Sequence, residues 1–204
     1  LKQIVRLFYN EPNISPSIRN IAQKLNISYS YIYGQVNALA QKGVLNKKKQ
    51  GAAIFCSLNF NSEYLLNDFI EITNADLQEF LKSQKKLSRP IRELMDRLPE
   101  RSHFNLLSII LFGSYAKGKA APKSDLDLFF IVSFKDQYQE MIESETLSLS
   151  RRYGININPV VAEPMEFVRM VKAKETNLAH EIIRDKIILC GREKFWELVF
   201  AGLK

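Results

Sequence analysis

The chain has 204 residues, 46% of them hydrophobic and 25% charged, a balance that suits one large globular domain or two small ones and excludes a disordered protein. The apolar runs, such as Ile109 to Phe112 behind Leu106 and Leu107, are far too short to cross a bilayer. Neither a transmembrane helix nor a signal peptide is expected, and Cys56 and Cys190, which lack metal-ligand spacing, read as small buried apolar residues of a reducing cytoplasm rather than as a disulfide.

Along residues 1 to 60, Ile4, Val5, Leu7 and Phe8 mark a first apolar helix, and Glu11 to Pro16 a Pro-rich break. Ser17 opens a second helix in which Ile18, Ile21, Ala22 and Leu25 recur at helical spacing. Asn26-Ile27-Ser28 then turns tightly into a third. The spacing assigns Tyr29, Ile32, Val36 and Leu39 of that helix to the core, and Ser30, Tyr33, Gly34, Asn37 and Gln41 to the opposite face. Gly43 stops the helix, Val44-Leu45 starts a strand, Asn46 to Gly51 reads as a basic turn carrying Lys47, Lys48 and Lys49, and Ala52 to Leu58 returns.

These 60 residues hold eight Lys and Arg against a single acid, Glu11, which leaves 21 of each sign in the remainder and so places the whole net charge of +7 here. That is the electrostatic footprint of a nucleic-acid-binding module joined to a neutral partner. The stretch resembles a winged helix-turn-helix domain. The resemblance implies double-stranded DNA as a partner, with the third helix in the major groove and the wing on phosphates. Ser30, Tyr33, Asn37 and Gln41 are the candidate base-facing residues, Asn37 being the best placed for an adenine, and Lys47, Lys48 and Lys49 the phosphate-facing ones. The same fold also serves as a protein-docking or dimerisation module.

Residues 61 to 103 read as a helical connector. Tyr64, Leu65, Phe69 and Ile72 form one apolar set, and Leu77, Phe80, Leu81, Leu87, Ile91, Leu94 and Leu98 a second. Thr73 or Asn74 is a candidate cap for the second helix, and Pro90 predicts a break near Arg89. These helices are also candidates for a homodimer contact.

From Phe104 onward strands and helices alternate, so residues 104 to 204 are taken as a third, α/β (α+β) segment with a small mixed sheet. The expected strands are Leu106 to Phe112, Leu126 to Val132, Ile155 to Ala162 and Ile187 to Cys190. The expected helices are Lys135 to Tyr153, Pro164 to Ala173 and Leu178 to Arg184, with a final apolar turn at Phe195 to Phe200. Between the first two strands lies Gly113-Ser114-Tyr115-Ala116-Lys117-Gly118, and the second strand begins Ser124-Asp125-Leu126-Asp127-Leu128. Glycine lets the backbone approach a ligand closely, and a helix start leaves N–H donors unpaired for phosphate oxygens. Strand periodicity puts Asp125 and Asp127 on one face and Leu126 and Leu128 on the other. Two adjacent carboxylates repel unless a hard cation sits between them, and Mg²⁺ takes that kind of oxygen ligation.

Taken together and in this order, the two motifs resemble the signature of the nucleotidyltransferase superfamily of DNA polymerase beta, especially its minimal members, over roughly residues 104 to 191. The resemblance implies transfer of a nucleoside monophosphate from a triphosphate, ATP foremost. It implies Mg²⁺ on Asp125 and Asp127, phosphates on Gly113 and Ser114, and a phosphate contact for Lys117. The family adds a third carboxylate from the neighbouring strand, where this chain has Asn156 and Asn158, both uncharged. Asn158, just before Pro159, is taken as the third ligand; its oxygen can ligate but cannot act as a base. Glu163, at the strand end, is a displaced alternative. Of the two histidines, His103 and His180, the second reads as partly buried and structural among Leu178, Ala179 and Ile182, with a general-base role as its alternative.

The departure at Asn158 splits the expected function. One reading is a Mg²⁺-dependent nucleotidyltransferase acting on a protein or small acceptor and tethered to a DNA-binding domain. Another is a DNA-binding regulator whose transferase-like domain senses nucleotide with little turnover. A third, implied by the minimal members, is an antitoxin paired with a small helical toxin.

Overall fold

The computed structural model describes residues 1–102 and 105–204. The expected segment start at Phe104, and His103, lie outside the described residues. The chain forms two compact units, residues 1–72 with 203–204, and residues 73–202.

The first unit is built from helices α1 (Lys2–Tyr9), α2 (Ile18–Leu25) and α3 (Tyr29–Gln41), strands β1 (Leu45–Gln50) and β2 (Ala53–Leu58), and the opening turns of α4 (Glu63–Ser83). Ser17 caps α2 by accepting from Asn20 N while Asn20 Oδ1 accepts from Ser17 N, which satisfies two donors that the helix start leaves open. Asn26 ends α2 in the left-handed region at φ 53°, and Ser28 caps α3 two residues later, so the α2–α3 turn is held by local chemistry at both ends. Ile4, Phe8, Ile21, Ile32, Val36 and Leu39 of the three helices are all but fully buried, whereas Leu7 and Leu25, expected with them, are half-buried, and Phe69 of α4 meets Tyr9 edge to face at 5.3 Å. β1 and β2 pair antiparallel from Leu45–Leu58 to Gln50–Ala53, and Ser17 bridges to Phe55 on the far side of β2. Lys47, Lys48 and Lys49 therefore lie on strand β1 rather than in the turn. The turn is Gly51-Ala52, with Gly51 at φ +59° in the first position of a two-residue hairpin loop, where the strand twist demands a glycine.

Two further expectations in this unit are corrected. Tyr29 is not core: it is 49% exposed and its ring stacks on Tyr33 at 6.1 Å, because it stands at the first position of α3, ahead of the buried run. Tyr64 is likewise exposed, at 65%, one residue before the buried Leu65.

In the second unit α4 continues without a break through Thr73 and Asn74, which cap nothing. Thr73 is instead buried, and its Oγ1 accepts from Trp196 Nε1 at 3.0 Å. The helix boundary falls at Gln84, ahead of α5 (Lys85–Arg101), which runs through Pro90 and Pro99. Four strands follow: β3 (Leu106–Phe112), β4 (Leu126–Val132), β5 (Ile157–Ala162) and β6 (Ile187–Cys190), in spatial order β5-β4-β3-β6. β3 runs antiparallel to β4 and β6, whereas β4 and β5 are parallel and need the crossover helix α7 (Lys135–Tyr153) between them. The sheet is thus mixed.

Alternation along β4 divides the core. Leu126, Leu128, Phe130 and Val132 pack with Leu87, Ile91, Leu94 and Leu98 of α5 and with Tyr138 and Ile142 of α7. Phe129 faces the other way, onto Phe167 of α8 (Pro164–Lys172), which continues to Phe195 and Trp196 of α10 (Arg192–Leu203) at ring separations of 5.6, 5.6 and 5.2 Å. Burying three or four aromatic side chains in one file contributes about 2 kcal/mol each, enough to hold the helices on that face. Asp127 points to this same face, at the end of β4 that the aromatic file does not reach.

Candidate active site and nucleic-acid face

The polar end of the sheet is assembled by strand register. Asp127 pairs across the antiparallel ladder with Phe112, the last residue of β3, and across the parallel ladder with Asn158 of β5. Residues opposite one another in a sheet project to one side, so Asp127 and Asn158 share a face. Asp125 lies just ahead of β4. Asn158 Nδ2 donates to Asp125 Oδ2 at 3.2 Å and to Asp127 Oδ1 at 3.1 Å, bridging the two carboxylates. Asn156, two residues earlier on the same face, donates from Nδ2 to Asn158 Oδ1 at 3.4 Å. A neutral amide between two anions partly offsets their repulsion through its N–H dipoles, but supplies no charge.

Beside this pair β3 ends and the one-turn helix α6 (Gly113–Ala116) begins. Gly113 has φ +71°, and an added Cβ would lie 2.2 Å from Asp127 Oδ2. Glycine is required here twice over, by backbone conformation and by the carboxylate that fills the space of its missing side chain. Ser114 is the second residue of α6, and its carbonyl accepts from Lys119 N at 2.9 Å. Lys117 follows the helix with its ammonium 3.9 Å from Glu181 Oε2 of α9 (Leu178–Arg184), a partner that the sequence did not suggest.

Glu163 is elsewhere. It follows the last residue of β5, at the end of the strand opposite to Asn158, where Oε1 accepts from Lys135 N at the start of α7 and the side chain joins a capping box with Glu166 at the start of α8. A carboxylate tying two helix starts is a structural group, and Glu163 does not replace the third acid. His180 is also tied locally, its Nε2 standing 3.1 Å from the carbonyl oxygen of Val171. Among the described residues no group of three His, Cys, Asp or Glu gathers as a metal-binding set. The two carboxylates of Asp125 and Asp127 converge on the Asn158 amide, whose nitrogen faces them while its oxygen accepts from Asn156, and hard carboxylate oxygens suit Mg²⁺ rather than a thiophilic metal.

On the first unit, α3 carries Tyr29, Tyr33, Asn37 and Gln41 at intervals of four, one stripe along its outer side. Tyr31 stands 55% exposed on the same first turns, and Ser30 and Gly34 are exposed as well. Lys47 reaches from β1 to donate from Nζ to Asn37 Oδ1 at 2.6 Å. Lys48 and Lys49 are exposed on the same strand. The spacing of four was the signal for including Tyr29 in the stripe, outweighed in the sequence by its heptad distance from Val36.

Comparison with known proteins bears on the second unit. The family described as "Polymerase beta, Nucleotidyltransferase" matches residues 99–195. A "Putative protein adenylyltransferase" of Methanocaldococcus jannaschii is 33% identical over 126 residues, which cover 59% of this chain and 83% of the relative. No solved structure gives a significant match.

Proposed function

The chain belongs to the polymerase beta nucleotidyltransferase family, and from that premise we propose that it transfers the nucleoside monophosphate of a triphosphate, ATP foremost, to an acceptor hydroxyl. The name of the archaeal relative favours adenylyl transfer to a protein. The reaction forms a bond from the acceptor oxygen to the α-phosphorus and breaks the bond to the bridging oxygen, with pyrophosphate leaving.

The observation that carries this reading is the convergence of Asp125, Asp127 and Asn158 beside Gly113. Asp125 and Asp127 would hold Mg²⁺, and Asn158 would complete the set by turning its Oδ1 inward. The ion would neutralise the phosphates and the charge that develops on the attacking and leaving oxygens. Gly113 keeps the Asp127 carboxylate from being displaced and lets the backbone of the Gly113-Ser114 turn approach a phosphate. Lys117, its ammonium 3.9 Å from Glu181 Oε2 and with three N–H donors, would meet a phosphate from the edge of the site.

In the same proposal residues 1–60 act as a winged helix-turn-helix that binds duplex DNA through the α3 stripe and the β1 lysines. The confinement of the net charge to these residues supports it. A second reading, a DNA-binding regulator whose transferase domain holds nucleotide with little turnover, is favoured by the amide at position 158. An antitoxin role would be recognised by co-purification with a small helical partner.

The deciding experiment incubates the full chain with labelled NTPs and Mg²⁺, alone and with a lysate as acceptor source. Label transfer that disappears in Asp125→Ala and Asp127→Ala is the expected result. Nucleotide binding without transfer, equal in all three proteins, would move the protein to the regulator reading.

A further inference from the structure

The hydrogen bond between Lys47 and Asn37 changes what the outer stripe of α3 can recognise. A free asparagine offers an acceptor oxygen beside a donor NH₂, the combination that matches N6 and N7 of adenine. Here one of the two lone pairs of that oxygen accepts from the Lys47 ammonium at 2.6 Å, which sets a cation beside the amide. The amide keeps its two Nδ2 hydrogens, and the ammonium, having used one of its three, keeps two more. What the pair presents is therefore four donor hydrogens carrying one positive charge against a single remaining lone pair of Oδ1.

Base edges in the major groove differ in how they meet such a set. Adenine places its N6 amino group beside N7, and that amino group would meet mostly donors and a positive charge, with one lone pair left to accept it. Guanine places O6 and N7 side by side, two acceptors within reach of one cationic donor face. Thymine O4 accepts alone, beside a methyl group. We propose that the Asn37–Lys47 pair reads a guanine in the major groove, and that Lys47 is a specificity-determining residue rather than one more phosphate-facing lysine. The inference rests on the DNA-binding reading of residues 1–60 and replaces its expected adenine contact.

The test uses the full chain to select duplexes from a randomised library, followed by fluorescence anisotropy on the recovered duplex at fixed salt. The expected site holds a guanine whose replacement by adenine or 7-deazaguanine weakens binding by about 5- to 100-fold. Selection with Lys47→Ala, which frees Asn37 Oδ1, should move that position towards adenine, whereas Lys48→Ala should weaken binding to all duplexes alike. Adenine selected there by the unaltered chain, or a guanine preference unchanged in both Lys47→Ala and Asn37→Ala, overturns the inference while DNA binding stands. Failure to bind any duplex in a salt-dependent way overturns the DNA-binding reading and the inference with it.

Discussion

Gly113 and Asp127 stand so close that a Cβ on the glycine would lie 2.2 Å from the carboxylate Oδ2. Gly113→Ala therefore combines an unfavourable backbone at φ +71°, costing about 1–2 kcal/mol, with displacement of the carboxylate. The variant should melt earlier than the parent and bind Mn²⁺ about 10- to 100-fold more weakly by calorimetry, the loss typical when a ligand is moved from its support. Unchanged Mn²⁺ affinity would separate Asp127 from any metal role.

Asn158→Asp places a third carboxylate where an amide now donates to Asp125 and Asp127. Without metal the three anions repel and the variant should be less stable than the parent. With Mg²⁺ the order should reverse, because a ligand that binds only the folded state stabilises it in proportion to its affinity. Thermal midpoints with and without Mg²⁺ check the crossover, and a titration identical to that of the parent would remove Asn158 from the ligand set.

Thr73 and Trp196 meet through a 3.0 Å hydrogen bond in the core, both side chains being almost wholly buried. Thr73→Val keeps the shape and deletes that acceptor, leaving the indole N–H short of a partner at a cost of about 1–3 kcal/mol. Urea denaturation of the two proteins measures it directly. A difference below about 0.5 kcal/mol would mean that the indole finds another acceptor.

Glu93 of α5 accepts from Tyr153 Oη at 2.7 Å and faces Arg152 and Arg97. The tyrosine hydrogen bond first, and then the two arginines, hold its carboxyl below the usual range against the opposing cost of desolvation. The unfolded chain thus binds more protons than the folded one in the window below the ordinary carboxylate value. The contribution to stability is present at neutral pH and lost as pH falls through that window. Tyr153→Phe should accordingly differ from the parent in denaturation midpoint at pH 7, and the difference should shrink as pH falls below the ordinary carboxylate range. A difference independent of pH would point to packing alone.

Burial pushes the thiols of Cys56 and Cys190 up to about 11 in both cases. The thiolate is the reactive form, so both should resist iodoacetamide at neutral pH and label fully only in denaturant. Rapid labelling of Cys56, which is fully buried, would contradict that placement, and Cys190, half-buried rather than buried as expected, should be the first of the two to react.

The elements of the second unit were legible where strands are continuous apolar runs cut off by charge or turns: Leu106–Phe112, Leu126–Val132 and Ile187–Cys190 have the limits their sequence suggests. Legibility failed where a residue's role depends on what lies opposite. Thr73 carries the marks of a helix cap yet serves Trp196, more than a hundred positions away, and Pro90 sits inside a helix it was expected to break. Tyr29 has core spacing but no core at its end of the helix. Glu163 has the chemistry of a ligand, and the start of α7 engages it otherwise.

From the sequence by itself came the segments, their polarity and the fact that Asp125 and Asp127 can face one way, since backbone geometry repeats over two or three and a half residues and needs nothing beyond its neighbours. Only the tertiary structure decided that β4 lies between β3 and β5, so that Asp127 meets both Asn158 and the bare side of Gly113, and that Lys47 closes on Asn37. Those pairings join positions from 10 to 31 residues apart. They are set by which faces bury together, a property that no local period encodes.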